Sequence, residues 1–186
     1  MTVLTVILNW CSAEMTLRAA EAALHAMEGI AGALVIVDNE SGDGSFETMA
    51  AAVRLRGWDT GPHQGRVLQA GWNGGFGAGN NGGIRAGLPD GSRPDYIYVL
   101  NPDAFPEAAA IRALVDHLDR HPATGFAGSS IFGEDDTPHH TAFRFPSVAS
   151  EFEGQVRFGP VSRLLRRWIV AQPMPQATCR VDWLAG

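Results

Sequence analysis

Cysteine is scarce in this chain. Only Cys11 and Cys179 occur, and they form neither a C-x-x-C pair nor a metal-ligating spacing. A disulfide framework and a zinc ribbon are therefore excluded, and two buried or half-buried thiols in a reducing compartment are expected. Long hydrophobic runs are missing as well. The run Thr2-Val3-Leu4-Thr5-Val6-Ile7-Leu8 is too short to cross a bilayer and lacks a basic flank, so it reads as neither anchor nor signal peptide. The expected location is the cytoplasm. Positive charge is in deficit: a formal net charge of -6 gives no global attraction for nucleic acid. Glycine (22 residues) and proline (11) fall at apparent loop positions, not in low-complexity tracts, which excludes a disordered chain.

The 186 residues, 45% of them hydrophobic, suit one domain with a sizeable core. Short apolar runs alternate with helical patterns. Val3 to Leu8 reads as a strand, and residues 14 to 28 carry Leu17, Ala20, Leu24 and Met27 at helical spacing. Ala33 to Val37 is the second strand. Ser45 then opens a helix through about Leu55. Gly65 to Ala70 is the third strand, followed by a glycine-rich loop and a helix over about Asn80 to Leu88. Tyr96 to Leu100 is the fourth strand, and Pro106 suits the start of a helix carrying Ile111, Leu114, Val115 and Leu118. Gly125 to Ile131 and Thr178 to Leu184 read as further strands, with an irregular stretch over 132 to 176 between them.

Continuous apolar strands separated by helices predict an α/β fold with a mostly parallel central sheet flanked by helices. Ligands of such sheets bind at the carboxyl ends of the strands. Asn9, Asp38, and the pair Asn101 and Asp103 follow the first, second and fourth strands.

Three constellations offer chemistry. In Val37-Asp38-Asn39-Glu40-Ser41-Gly42-Asp43-Gly44-Ser45, a carboxylate at a strand end suits a nucleobase N–H or a ribose hydroxyl, and the same run suits a simple turn. In Asn73-Gly74-Gly75-Phe76-Gly77-Ala78-Gly79-Asn80-Asn81-Gly82-Gly83, a G-x-G-x-x-G occurs too late in the chain for a dinucleotide fingerprint. A glycine-rich stretch that opens a helix still suits an anion, or forms a flexible turn. In Leu100-Asn101-Pro102-Asp103, one carboxylate and one amide oxygen suit a hard cation, or a β-turn.

Taken in order, with Asn9-Trp10 before them and Val181-Asp182-Trp183-Leu184-x-Gly186 after them, these motifs resemble the bacterial family 2 glycosyltransferases, particularly their rhamnosyltransferase-like branch. The resemblance implies a GT-A nucleotide-diphospho-sugar transferase fold, a dTDP- or UDP-sugar donor and a cell-envelope saccharide or lipid-linked acceptor. It implies that Asp38 contacts the base and that Asn80 lies near the nucleotide. Asn101-Pro102-Asp103 matches the D-x-D position that holds Mg²⁺ or Mn²⁺, with Asn in place of the first Asp. The donor-binding candidates are thus Asn9, Asp38, Glu40, Asn73, Gly75, Asn80 and Asn101, and the metal candidates Asp103 and Asn101.

The implied reaction is a single displacement with inversion, its base lying in an acidic segment beyond the Trp-Leu-x-Gly strand. Residues 1–123 then form the nucleotide-sugar half of one domain, and 124–186 the start of an acceptor half that ends at Gly186 without a matching base. Asp182 reads as structural. An edge truncated there would favour self-association. A non-catalytic nucleotide-sugar-binding module is the alternative. A sugar nucleotidyltransferase would need a glycine-rich basic loop where Asn9-Trp10-Cys11-Ser12-Ala13-Glu14 stands. His139 and His140 read as exposed loop residues, not a metal pair. Finally, residues 157–169 mix Arg157, Arg163, Arg166 and Arg167 with Phe158, Leu164, Leu165, Trp168 and Ile169. They suit either packing on further protein or peripheral contact at the inner face of the membrane.

Overall fold

The computed structural model describes residues 1–133, 135–156 and 159–184. They divide into two compact units, Met1–Gly125 and Phe126–Gly186.

The first unit is built on a four-stranded sheet. Its elements run β1 (Thr2–Asn9), α1 (Ala13–Ala26), β2 (Ala31–Asp38), α2 (Ser45–Leu55), β3 (Arg66–Gln69), α3 (Gly75–Ala86), β4 (Tyr96–Leu100) and α4 (Ala110–Arg120). The strand order is β3-β2-β1-β4, and every pairing is parallel. This is the parallel α/β sheet expected from uninterrupted apolar strands. Alternate side chains of β1 and β2 enter two separate cores. Ile7, Leu34 and Ile36 pack with Leu17, Ala20 and Ala23 of α1 and Met49 and Val53 of α2. Leu4, Val6, Leu8, Val35 and Val37 fill the opposite face, with Ile84 and Leu88 against them. Both central strands are thus buried on both sides, which explains their lack of polar alternation.

The glycine-rich segment departs from its expected form. The helix starts at Gly75, not near Asn80, so most of the glycines lie inside it. Sheet packing is the cause. A Cβ on Gly83 would stand 2.5 Å from Val6 Cγ1 and 2.9 Å from Val37 Cγ2, and one on Gly79 would stand 2.3 Å from Leu8 Cδ1. Positions 79 and 83, one helical turn apart, let α3 lie directly on β1 and β2. That contact outweighs the poor helix propensity of glycine. Likewise α4 begins at Ala110, after a separate turn in which the Ala110 N–H meets the Glu107 carbonyl.

The second unit contains β5 (Ala142–Phe143), α5 (Val148–Val156), α6 (Gly159–Leu165), a 3-10 turn (Arg166–Trp168) and β6 (Trp183–Leu184). The sequence reads 132 to 176 as irregular, yet Val148, Phe152 and Val156 recur at helical spacing within it. The strand expected over Gly125 to Ile131 does not form. Its glycines and serines are weak strand formers, and Phe126 is exposed, so no burial holds the segment extended. Of Thr178 to Leu184, only Trp183 and Leu184 pair, antiparallel to the two residues of β5. Phe143 and Trp183 stack there with ring centroids 4.3 Å apart. Arg157 and Phe158 of the basic stretch, and Gly186 of the final motif, lie outside the described residues. His139 and His140 are exposed.

Both cysteines are exposed, contrary to the expectation of buried thiols. Cys11 lies in the turn that leaves β1 and Cys179 in an unpaired segment, and neither joins a core.

Candidate functional site

The strand order creates a topological switch point at the carboxyl edge of the sheet. From β1 the chain moves outward through β2 and β3, then crosses back to add β4 on the other side of β1. Connections therefore diverge between β1 and β4, the kind of switch point where open α/β sheets bind ligands. Asn9 and Asp38 are register partners at the ends of β1 and β2. Leu100 pairs with Ile7, so Asn101 and Asp103 emerge at the same edge.

The buried Asn9 and Asp38 and the half-buried Ser41 form one cluster. Asn9 Nδ2 donates to Asp38 Oδ1 at 2.7 Å and to Ser41 Oγ at 3.2 Å. Ser41 donates to Asp38 twice, from its hydroxyl at 2.6 Å and from its backbone N–H at 3.1 Å. Asn9 Oδ1 accepts from Thr16 at 2.7 Å, which ties the cluster to α1. The Cys11 N–H donates to Ser41 Oγ at 2.9 Å and joins the first loop to the second. Asp38 is only 1% exposed, so its carboxylate chiefly organises the two loops. It also lines a cavity of about 400 Å³ with Glu40, Gly42, Gly44, Phe46, Glu47 and Gln69.

Glu40 projects at this cavity from a left-handed backbone, φ +58°, and accepts from Gln69 Nε2 at 3.0 Å. Cys11 has φ +50°. Such conformations cost a non-glycine residue about 1–3 kcal/mol, and they cluster where a loop is held for function. Asp43 sits at the start of α2. Its carboxyl lies below the usual range because the Ser45 hydroxyl and then the Ser45 N–H, at 2.9 Å, hydrogen-bond the charged form.

The glycine-rich segment joins the cluster through Asn39. Its Nδ2 donates to Asn73 Oδ1 at 2.9 Å, and the same oxygen accepts from the Gly75 N–H at 3.0 Å. Gly75 has φ +79°, which lets the chain turn into α3. Asn80 lies buried in the second turn of α3, and its Nδ2 donates back to the Phe76 carbonyl at 2.9 Å. The Oδ1 atoms of Asn39 and Asn80 are buried and accept no hydrogen bond among the described residues. Both are enclosed by protein, so a donor from outside reaches them only if the loops around them shift.

Asn101 is half-buried and Asp103 exposed. The Asn101 carbonyl accepts from the Ala104 N–H at 3.2 Å, closing a turn that presents Asp103 to solvent. No hydrogen bond among the described residues joins this pair to the Asn9–Asp38–Ser41 cluster. The sheet thus brings the candidates to one edge, while direct bonding unites only the β1, β2 and α3 groups. Ser41 and Asn39 are the residues the sequence does not single out. They stand beside Asp38, but only the three-dimensional cluster reveals them as its links.

A sequence profile described as glycosyl transferase family 2 matches residues 5–168. The chain belongs to that family. Its parallel sheet between helices is the GT-A architecture expected from the motifs. No curated protein sequence matches the chain significantly. Among solved structures it is similar to S. aureus TarS 1-349, at 14% identity and a TM-score of 0.47, over 78% of this chain and 42% of that one. TarS 1-349 in complex with UDP-GlcNAc gives 14% identity and a TM-score of 0.48, over 72% of this chain and 39% of that one. The UDP complex is similar at the same identity and score, over 72% and 40%. This family 2 chain spans less than half the length of those relatives. Among its described residues, no helix is long and apolar enough to cross a membrane.

Proposed function

We propose that this family 2 chain binds a nucleoside-diphosphate sugar at the carboxyl edge of β1, β2 and β4 and takes part in an inverting glycosyl transfer. The observation that carries this reading is the shared location of Asn9, Asp38, Asn101 and Asp103 at the carboxyl edge of the sheet. Glu40, Asn73, Gly75 and Asn80 complete the donor-binding set. A UDP or dTDP sugar fits the acceptor-rich lining around Asp38 and Glu40, because an imide N–H and sugar hydroxyls are donors. Rhamnose is the donor sugar favoured by the sequence resemblance, with a cell-envelope saccharide or lipid carrier as acceptor.

The residues fit a hard cation held mainly by phosphate oxygens. Asp103 offers an exposed carboxylate and Asn101 a neutral amide oxygen. Among the described residues, no group of three His, Cys, Asp or Glu forms an all-protein cage. Mg²⁺ or Mn²⁺ bound there would stabilise charge on the departing diphosphate. The chain itself positions the donor: Asp38 and Ser41 fix the loops around it. In the displacement, the acceptor hydroxyl gives its proton to a base, its oxygen bonds the anomeric carbon, and the carbon–oxygen bond to diphosphate breaks with inversion. Asp182 is not assigned as that base, because its carboxylate accepts the Phe145 N–H at 2.9 Å and braces β5 against β6.

Turnover of labelled UDP and dTDP sugars, with and without Mn²⁺, tests the reading. Metal-dependent release of nucleoside diphosphate that disappears in Asp103→Ala, with the fold intact, is expected. Turnover unaffected by Asp103→Ala would contradict it. Metal-dependent binding without turnover would identify a nucleotide-sugar-binding module instead.

A further inference from the structure

The second unit carries an exposed surface that the donor reading does not use. Ser150 marks the buried side of α5. Val148 and Phe152, two residues to either side of it, project about 200° around the helix from that side. They are 89% and 56% exposed, and Val156 continues the row at 40%. Apolar residues four apart on the solvated face reverse the arrangement of an ordinary amphipathic helix. α5 packs on α6, where Leu164 is 79% exposed, and α6 runs into the 3-10 turn, where Trp168 is 41% exposed. These side chains therefore belong to one contiguous group of short helices.

Positive charge accompanies them. Arg163, Arg166 and Arg167 are exposed on the same segment, and the Arg167 guanidinium lies 5.5 Å from the Trp168 ring centroid. Three arginines within five positions run against a net charge of -6 for the whole chain.

We infer that α5, α6 and the Arg166–Trp168 turn form a docking surface for an anionic phospholipid bilayer. Exposed aliphatic side chains enter the acyl boundary, tryptophan suits the interface between apolar and wet layers, and arginines reach phosphate headgroups. The charge selects this occupant. The arginines of residues 148–168 outnumber the glutamates of α5, Glu151 and Glu153, so a second copy meeting the same face would bring net positive charge against net positive charge. A nucleic acid would leave Val148 and Leu164 without a partner. The inference is independent of the donor reading, since none of these residues belongs to that edge.

Sedimentation of the 186-residue chain with vesicles tests it. Vesicles of phosphatidylcholine mixed with phosphatidylglycerol are expected to carry the protein down, and phosphatidylcholine alone is not. Added salt weakens the association. Arg166→Gln with Arg167→Gln is expected to weaken it on the order of 30-fold. Val148→Asp with Leu164→Asp abolishes it while leaving all three arginines in place. Both pairs alter exposed side chains, so wild-type melting is expected, and a folding defect in one pair leaves the other as the test. Equal sedimentation with both vesicle types would overturn the inference, as would full retention by either variant. Concentration-dependent self-association that disappears in Val148→Asp with Leu164→Asp would overturn it too, giving the face to a second copy.

Discussion

Replacing single glycines of α3 by alanine separates two roles within one helix. In a helix interior the change ordinarily stabilises by about 0.8–1 kcal/mol, because glycine has more backbone freedom to lose. Gly82 obeys that rule: a Cβ there meets nothing within 4 Å. Gly83 does not. Its Cβ would stand 2.5 Å from Val6 Cγ1 and 2.9 Å from Val37 Cγ2. Both valines are almost fully buried, on the two central strands of the sheet, and have little room to move. Overpacking of this kind costs about 1–3 kcal/mol, and two close contacts on paired strands put Gly83→Ala toward the upper end. After the propensity gain, a net loss of about 1–2 kcal/mol remains. At this chain length that lowers the melting midpoint by about 2–8 °C, whereas Gly82→Ala raises it by about 2–4 °C. Thermal unfolding followed by circular dichroism reads both. A Gly83→Ala protein that melts above wild type, as Gly82→Ala does, would refute the claim that glycine brings α3 onto the sheet.

Two further perturbations probe the loops. Asp38→Asn presents an N–H₂ to donors from Asn9 and Ser41, and one buried unpaired donor costs about 1–3 kcal/mol; a urea melt that matches wild type would show that the cluster does not hold these loops. The Ser45 amide proton signal is expected to titrate with a midpoint below the ordinary aspartate value of about 3.9, since Ser45 hydrogen bonds depress Asp43. The support Asp43 gives α2 is then present above that ordinary value and lost as pH falls through the depressed one. A midpoint at or above the ordinary value would contradict the assigned bond.

The sheet was legible in the sequence because strands buried on both faces leave unbroken apolar runs, as Val3 to Leu8 and Ala33 to Val37 do. Its carboxyl edge was legible because polar residues follow those runs at once. The glycine segment was harder to read. Glycines that break a local helix pattern also allow close packing, and only the positions of Val6 and Val37 reveal which effect wins. Ser41 was not separable from a generic turn residue until its bonds to Asn9, Cys11 and Asp38 existed in space. Beyond the first sheet, Gly125 to Ile131 has apolar ends suited to a strand but pairs with no strand among the described residues. The helices over 148–156 and 159–165 were obscured by the prolines and phenylalanines around them.

Ligand-dependent unfolding of the full chain tests the donor edge most directly. UDP, dTDP, GDP and NAD are compared, each with and without Mn²⁺, on wild type and Asp103→Ala. At a hundredfold excess over Kd, binding adds about 2.7 kcal/mol, or about 5–11 °C. The account predicts a Mn²⁺-dependent rise with UDP or dTDP that Asp103→Ala loses, and none with NAD. A rise with NAD alone, or an equal rise in Asp103→Ala, would contradict the assignment of this edge to a metal-bridged sugar nucleotide.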